Sequence, residues 1–564
     1  MGPSMREHQA DLDGLELENL DDPPCNDILQ DGVRGMAPAQ AWNLYVSHAL
    51  STWNVRTYEF AAILFTASAY PQTLLASSIR GICNTLASIC LSSLIGSWID
   101  RAPSRLRTLL LTISSNRGAV ILACLGWMLL VDTNISDMLA VSKHLIFSAI
   151  VGLGILEKLS GAANMISMER DWIPILAAQT SGSAYDLTHL NAVMRRIDLV
   201  CKLISPLMLS IIISASGSTR IGVMVVAGMS ASSWGLEMWC ARRVWHANPQ
   251  LRQAKNATID SAAIHEPADS SEPHWPQRAM NHITTGFYSQ IKNLMDYFGG
   301  EVWMPSLSLA LLHLSVLSYS ATFLTYLLDS GFSLILITIA RSLGSVVEVS
   351  STFVAPVGVQ YLSRHSKYQL VQEDAEAFLE SPEIAAQDQA SHQHLAGLER
   401  LGLWGIWSQF LNLVPVVLAV WQISASSKEA TPMGLLSRIV ALATPHNPTV
   451  AAVSLFTFLS LSRLGLWTFD LTTQELTQIR IPAQTRSSFA GTEMAFVSVF
   501  ELAHWVAAAI LSRPEDFRWL AVGSLGAVGL STCTYAFWVR QQRGHLMHWG
   551  RMKGCGCGKP RDRC

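Results

Sequence analysis

A carboxylate and an imidazole share one face of an apolar segment near the carboxy terminus. Glu501 and His504 are three residues apart, a spacing that places both side chains on the same side of a helix. Oxygen and imidazole donors together suit borderline divalent ions such as Fe²⁺, Zn²⁺, Co²⁺ or Ni²⁺, and both groups also exchange protons. The spacing leaves two interpretations open: a pair of metal ligands, or a histidine hydrogen-bonded between helices.

Other ionisable side chains also interrupt apolar segments. Each costs at least about 2.5 kcal/mol at the centre of a bilayer and therefore needs a partner or a function. Glu59 follows Arg56 by three residues, which allows either an ion pair or a role in a polar pathway. For Asp470 we favour an ion pair, with Arg463 or with another cation. Asp198 is interpreted in the same way, as a structural or pathway residue.

The segments that hold these residues have the composition of a membrane protein. Of 564 residues, 50% are hydrophobic and only 14% are charged, and the mean hydropathy is +0.29. A helix needs about 20 mainly apolar residues to cross a bilayer. We therefore predict an all-α membrane protein with twelve transmembrane helices in two six-helix lobes, near 43–69, 72–98, 107–131, 141–166, 189–216, 219–241, 299–328, 332–361, 400–423, 448–477, 487–512 and 516–539.

Polar segments divide the chain between these helices. Residues 243–297 show no helical apolar stripe and are predicted to link an amino-terminal lobe, 41–242, to a carboxy-terminal lobe, 298–541. The insert 362–398 is acidic and predicted to be mostly featureless. The acidic stretch 1–40 is interpreted as a disordered tail. The basic segment 542–564 is interpreted as a flexible end, despite Cys555, Cys557 and Cys564.

Lysines and arginines cluster in loops on one side of the predicted helices, which places those loops and both termini in the cytosol. The residues are Arg101, Arg105, Arg107, Arg242, Arg243, Arg252, Lys255, Arg480, Arg486, Arg540, Arg543, Arg551 and Lys553. A possible glycosylation site at Asn134 then faces the opposite side. Two sets of six helices around a cytosolic linker are typical of the major facilitator superfamily, and residues 96–101 resemble its Gly-Asp-Arg loop motif.

Several blocks resemble the ferroportin family of cellular iron exporters. They occur in the family's order across roughly residues 43–540: NLYVSHALSTW at 43–53, ERDWI at 169–173, NAVMRRID at 191–198, RLGLWTFDL at 463–471 and the stretch 504–517. The resemblance implies a transporter that exports Fe²⁺ or a related divalent metal ion from the cytosol, with no resident cofactor. It also implies a monomer in the lipid bilayer of the plasma membrane, with the vacuole or another organelle as the alternative.

The resemblance also implies a cytosolic gate formed by charged and amide groups. The matching positions are Asp100, Arg105, Asp171, Trp172, Asn191 and Arg486. Opposite charges from the two lobes would hold the outward-open state and separate when the inner mouth opens. Without the resemblance, the same residues are interpreted as loop charges that satisfy helix ends.

The family's metal sites are only half matched. The animal members carry an aspartate and a histidine on the first span, where this chain has Val55 and Glu59. They pair a cysteine on the seventh span with a histidine on the eleventh, where this chain has Ala321 and His504. We expect hydroxyls or carbonyls of an unwound seventh span to replace the thiolate, with help from Glu501. Peptide-hormone control, which needs that cysteine, is not expected.

A calcium site of the animal members is matched in part. Asn116 and Glu237 are present, whereas Ser230 stands where those members carry an amide. We therefore do not expect calcium dependence.

Two other functions remain open from the sequence. One is a major facilitator carrier of an organic solute, and the other is a non-transporting membrane metal sensor or scaffold that works through its polar inserts. An enzyme is not expected because no nucleophile–base constellation is present. A net charge of −3 gives no reason to expect a nucleic-acid partner.

Overall fold

The computed structural model describes residues 36–543, with gaps at 71–74, 132–139, 179–184, 254–274, 319–320, 371–381, 427–447, 512 and 514–515. The regular elements of this part of the chain are all helical, as predicted. They are α1 (Pro38–Ala69), α2 (Leu75–Arg101), α3 (Arg105–Val131), α4 (Ala140–Ile166), a π-helical turn (Ser167–Trp172), α5 (Ile173–Ala178), α6 (Leu187–Ser216), α7 (Thr219–Ala247), α8 (Pro249–Arg252), α9 (Trp275–Gly299), α10 (Trp303–Leu311), a 3₁₀ turn (Leu312–Leu314), α11 (Ala321–Asp329), α12 (Leu334–Leu370), α13 (Pro382–Ser426), α14 (Pro448–Arg480), α15 (Arg486–Ile510) and α16 (Phe517–Arg543).

Ten helices are long and apolar enough to cross a membrane within the described residues. They include the predicted spans near 72–98, 107–131, 189–216 and 487–512, each within a few residues of the predicted bounds. The two tails at 1–35 and 544–564 and the loop around Asn134 lie outside the described residues, so those predictions are not tested.

The predicted span near 299–328 is interrupted, as expected for an unwound seventh span. The helix stops at Leu311, a single 3₁₀ turn follows, and Ser315 has an extended backbone before helix resumes at Ala321. Side chains of other helices satisfy part of the freed backbone: the Val316 amide donates to Ser524 Oγ at 2.8 Å, and Arg463 donates to the Leu317 carbonyl at 2.6 Å. A broken helix is tolerated at membrane depth only with such partners.

The linker 243–297 contains a helical apolar stripe that we did not predict. Helix α9 covers its second half, and Phe287, Ile291, Leu294 and Phe298 recur at helical spacing as exposed side chains. Asn293 binds α2 by donating to Ser93 Oγ at 2.9 Å and Ser97 Oγ at 2.7 Å. Asn, Gln and Lys alternate with these apolar residues. They lower the mean hydropathy of the segment and so mask the helical period of the stripe in the sequence.

The insert 362–398 is also more ordered than predicted. Helix α12 continues to Leu370, and α13 begins at Pro382. The end of the insert is fixed because Leu398 is fully buried in the core of the neighbouring helices.

The apolar core is divided between two groups of helices. In the first group, α1–α8, one cluster surrounds Trp172 and another surrounds Trp127. In the second group, α10–α16, a larger cluster surrounds Phe469 and Trp538. Within the described part of the chain, the apolar cluster that joins the groups is small and consists of Ile99, Ala163, Ile166 and Ala490, with Ile95 and Met494 beside it. The groups are therefore separate packing units that meet mainly through polar contacts.

Candidate functional site

The two helix groups touch where α2 ends and α15 begins, here called the gate end. A Cβ atom built on Gly96 would collide with the Ser487 carbonyl, and one built on Gly491 would collide with the Ser92 carbonyl. Glycine is therefore required at both positions for the backbones to approach this closely. Asp100 accepts hydrogen bonds from the backbone amides of Ser487, at 3.1 Å, and Ser488, at 2.6 Å. A carboxylate from the first group thus caps the first turn of a helix in the second.

Two largely buried ion pairs, whose side chains are 9–15% exposed, also cross between the groups. Arg170, in the π-helical turn, contacts Glu493 of α15 at 3.0 Å, and Arg195 of α6 contacts Asp470 of α14 at 2.7 Å. Glu493 accepts a second hydrogen bond from Ser306 at 2.5 Å. Charge-assisted contacts of this kind are among the strongest hydrogen bonds in proteins.

Amide side chains make further contacts between the two helix groups at the gate end. Asn191 of α6 and Gln478 of α14 exchange hydrogen bonds of 2.6 and 3.1 Å. Gln474 donates to the Glu169 carboxylate at 3.0 Å, and Gln478 donates to the Glu169 carbonyl at 2.6 Å. A π-helical turn adds a residue to the helix and turns these groups toward α14. We call these contacts the gate network; it comprises Asp100, Glu169, Arg170, Asn191, Arg195, Asp470, Gln474, Gln478, Glu493 and the amides of Ser487 and Ser488.

A histidine from the polar insert contacts the same region. His394 of α13 lies 2.8 Å from Glu475 of α14, and Thr188 of α6 donates to the same carboxylate oxygen at 2.5 Å. The insert therefore packs beside the gate network and does not stand apart from it.

The six residues predicted for a gate all lie at the gate end, in different roles. Asp100 and Asn191 belong to the gate network. Arg105 and Asp171 pair at 3.0 Å within the first group. Arg486 reaches the carbonyls of Arg170, at 3.5 Å, and Ile481, at 3.2 Å. Trp172 is fully buried in the apolar core beneath the network.

Sequence reasoning gave no role to several members of the network. Arg170 and Arg195 stood inside recognised blocks, but their partners lie roughly three hundred residues away in the chain. The available signal was the four-residue spacing of Gln474 and Gln478, which places both side chains on one face of an apolar helix.

His504 has an unused ring nitrogen. The residue is 6% exposed, its Nε2 has no hydrogen-bond partner among the residues that the structure describes, and its ring lies near the backbone of His313 and Ser315. Glu501 is close enough to interact electrostatically. Backbone oxygens of the broken helix therefore lie beside His504, as expected for an unwound seventh span.

His313 is a second imidazole at this place that the sequence analysis missed. It is exposed in the 3₁₀ turn, yet it lies within electrostatic range of His504, Glu501, Asp470 and Lys202. Those groups come from α15, α14 and α6, so His313 faces the space between the two helix groups. Its only sequence signal was a lone histidine in an apolar run.

Glu59 belongs to a different cluster. It contacts Arg56 at 3.2 Å, and Arg56 contacts Asp198 at 2.8 Å, which Arg195 approaches at 3.7 Å. The side chain of Glu59 is 57% exposed. Within the described residues, no three His, Cys, Asp or Glu side chains are close enough to hold a metal ion, so Glu59 and His504 do not form one site in this conformation.

Arg463 and Asp470, the two charged residues of the tenth predicted span, contact different partners. Asp470 pairs with Arg195 of α6, a cation other than Arg463. Arg463 instead binds the Leu317 carbonyl and lies 4.0 Å from Glu348. It supports the broken helix beside His504.

Comparison with known proteins decides which family this arrangement belongs to. The family model described as Ferroportin1 (FPN1) matches residues 38–364 and 388–528. The chain belongs to the ferroportin family. Members of this family are transporters, so the chain is a multi-pass membrane transporter and not an enzyme.

Curated relatives match nearly the whole chain. Solute carrier family 40 member 1 of Oryza sativa subsp. japonica is 27% identical over 536 residues, covering 93% of this chain and 96% of the relative. Ferroportin of Mus musculus is 22% identical over 532 residues, covering 89% and 91%.

Solved structures show the same fold. A bacterial homologue of the iron transporter ferroportin, in its outward-facing state with soaked iron, matches with a TM-score of 0.65 at 19% identity, covering 88% of this chain and 98% of that one. Its inward-facing form matches with a TM-score of 0.52 at 19% identity, covering 89% and 98%. The fold of this chain is that of the bacterial ferroportin homologue.

Proposed function

We propose that the chain exports Fe²⁺ or a related divalent metal ion from the cytosol by alternating access. The ten long apolar helices, together with α1 and the interrupted α10–α11 pair, make twelve spans in two six-helix lobes. With 32 residues, α1 is about 48 Å long and can cross a bilayer despite carrying Arg56 and Glu59. The direction of transport rests on the resemblance to the family of iron exporters.

The observation that carries this proposal is that His504 Nε2, beside a broken helix, has no hydrogen-bond partner among the residues that the structure describes. A buried polar nitrogen without a partner costs free energy unless a ligand uses it. Glu501, His313 and the carbonyls of His313 and Ser315 supply further donors nearby. Imidazole and carboxylate donors favour borderline divalent ions such as Fe²⁺ over Ca²⁺ or Mg²⁺. Among the described residues these side chains do not yet converge on one point, so metal binding requires that they move together.

In the proposed cycle, the gate network separates the metal site from the cytosol in the outward-open state. Metal loading requires that Arg170–Glu493, Arg195–Asp470 and the amide pairs separate, so that the cytosolic side opens. Because an imidazole binds metal only in its neutral form, protons and metal ions compete for His504, which makes metal–proton exchange the proposed coupling. Glu59 then serves as a separate carboxylate on the opposite wall of the path.

Purified protein in liposomes tests this function directly. Uptake of Fe²⁺, Mn²⁺, Co²⁺, Ni²⁺ and Zn²⁺ is measured together with the internal pH. We expect transport of Fe²⁺ or a related ion with a matching proton flux, and at least a tenfold loss of metal transport in His504→Ala. His189→Ala is the matched control, since His189 is an exposed histidine in the first turn of α6.

The same assay separates the alternatives. Normal transport of every metal by His504→Ala and His313→Ala would show that the site is misplaced. No metal transport by the wild type, with movement of an organic solute, would favour the carrier interpretation. A protein that moves nothing but responds to metal would favour a sensor.

The proposed location is the plasma membrane, with the membrane of the vacuole or another organelle as the alternative, and the proposed assembly is a monomer. Imaging of the tagged full-length chain and the mass of the detergent-solubilised particle test these two points.

A further inference from the structure

A fully buried ion pair lies inside the first helix group, away from the gate network. Arg117 of α3 donates from Nε and Nη2 to Glu237 of α7 at 3.1 and 2.6 Å, and both side chains are 1% exposed. The proposed transport path does not use either residue. A pair this deeply buried is costly unless every remaining donor and acceptor is satisfied.

The guanidinium has oxygen partners in three directions. Besides Glu237, it donates to the Asn116 side-chain oxygen at 2.9 Å and to the Leu50 carbonyl of α1 at 3.3 Å. Glu237 accepts a further hydrogen bond from Asn164 of α4 at 3.4 Å. Carboxylate, amide and backbone oxygens gathered around one positive charge are the ligands that a hard divalent cation uses. Here an arginine supplies that charge.

The residues that partly match the family's calcium site do not fit a calcium ion in this chain. Glu237 and the Asn116 oxygen are occupied by Arg117, and the Asn116 amide donates to the Glu157 carbonyl at 3.0 Å. Ser230 donates to Asn54 at 3.1 Å. A calcium ion among these oxygens would lie against a guanidinium that cannot be deprotonated. Like charges at such a distance in a buried site repel strongly.

We propose that Arg117 is a tethered cation that takes the place of a bound calcium ion. It neutralises Glu237 and joins α1, α3 and α7 permanently, so the first helix group needs no free ion to hold its arrangement. Replacement of Arg117 by a small neutral residue leaves a buried carboxylate, an amide oxygen and a carbonyl around an empty space. That space becomes a site for Ca²⁺.

Melting temperatures of the purified full-length protein, measured in Ca²⁺ and in chelator, test the proposal without relying on transport. The wild type and Arg117→Lys are expected to melt at the same temperature in both conditions, because each retains a cation beside Glu237. Arg117→Ala is expected to melt several degrees lower in chelator and to recover a large part of that loss in Ca²⁺. Adding Glu237→Gln to Arg117→Ala is expected to abolish the recovery.

A second variant covers the case in which Arg117→Ala does not fold. Arg117→Gln fills more of the space and offers an amide oxygen, so it is expected to show the same Ca²⁺ response. A wild-type melting temperature that rises with Ca²⁺ overturns the proposal, as does an Arg117 variant, folded in chelator, that Ca²⁺ leaves unchanged. Loss of metal transport with these melting results intact would count against the proposed function alone.

Discussion

The gate network and the surroundings of His504 differ in how many contacts their polar groups make with the opposite helix group. At the gate end, Arg170, Asn191 and Gln478 each bind partners from the opposite helix group, and Asp100 binds two backbone amides. Beside the broken helix, His504 keeps a nitrogen without a partner within the described chain. Most polar groups of the gate network thus have partners within the protein, although Arg195 Nε, like His504 Nε2, has no hydrogen bond among the described residues.

The polar character of the gate network also suits a contact that must open. An intramolecular hydrogen bond contributes only about 1 kcal/mol net, because water replaces it when it breaks. Separation of a large apolar interface would cost far more, at about 25 cal/mol for each Å² exposed. The apolar cluster that joins the two helix groups is correspondingly small, with Ile99 and Ala490 at its centre.

The largest loss of stability is expected when one side of a gate ion pair is removed. Arg170→Ala leaves Glu493 charged and buried without its cation, which costs about 3–5 kcal/mol. We expect a clear fall in melting temperature and a shift toward the form open at the gate end. The exposed Arg101 of the same end is the control, and Arg101→Ala is expected to change stability by less than about 0.5 kcal/mol.

A double substitution sharpens this result. Arg170→Ala with Glu493→Ala removes both charges and is expected to cost less than the sum of the two single substitutions. Additive losses would show that the pair does not contribute to closure.

The next largest effect is expected from crowding the contact between α2 and α15. Gly96→Ala forces the backbones apart at Ser487 and costs about 1–3 kcal/mol. Gly81→Ala in the same helix is the matched control, since a Cβ there meets no atom within 4 Å. Hydrogen exchange at the first turn of α15 should rise in Gly96→Ala alone; equal exchange in both variants would contradict the close contact.

A smaller effect is expected at the cap of α15. Asp100→Ala removes the acceptor for the amides of Ser487 and Ser488 and costs about 0.5–2 kcal/mol, as for other helix caps. High salt should reduce the destabilisation caused by Asp100→Ala more than the destabilisation caused by Arg170→Ala, because Asp100 lies nearer to solvent. The melting temperatures of both variants at low and high salt provide the measurement.

The sequence predicted the all-helical fold and most helix bounds because long apolar runs are a strong local signal. The break between α10 and α11 was expected only from the family resemblance, since residues 309–318 contain no proline or glycine that would mark it. Its cause is distant: Arg463 and Ser524 supply partners for the freed backbone.

The candidate site was predictable only where a local pattern existed. The spacing of Glu501 and His504 predicted one half of the proposed metal site, and recognised blocks predicted the proposed gate positions. Pairs such as Arg117 with Glu237, which are 120 residues apart, and the position of His313 beside His504 depend on tertiary packing. A single sequence contains no signal for which distant charges meet.

The smallest effect on stability is expected at the metal site, and it gives the most direct test of the whole account. His504→Asn keeps a polar side chain of similar size and is expected to change the melting temperature less than any gate substitution.

A divalent metal that binds only the folded protein stabilises it by about 2.7 kcal/mol at a hundred times its dissociation constant. The decisive measurement is therefore the Co²⁺-induced rise in melting temperature, compared between Arg170→Ala and His504→Asn. For Arg170→Ala we predict a lowered melting temperature without metal and a normal increase when Co²⁺ is added. For His504→Asn we predict a normal melting temperature without metal and no increase when Co²⁺ is added. An intact rise in His504→Asn, or its loss only in Arg170→Ala, would contradict the assignment of gate and metal site.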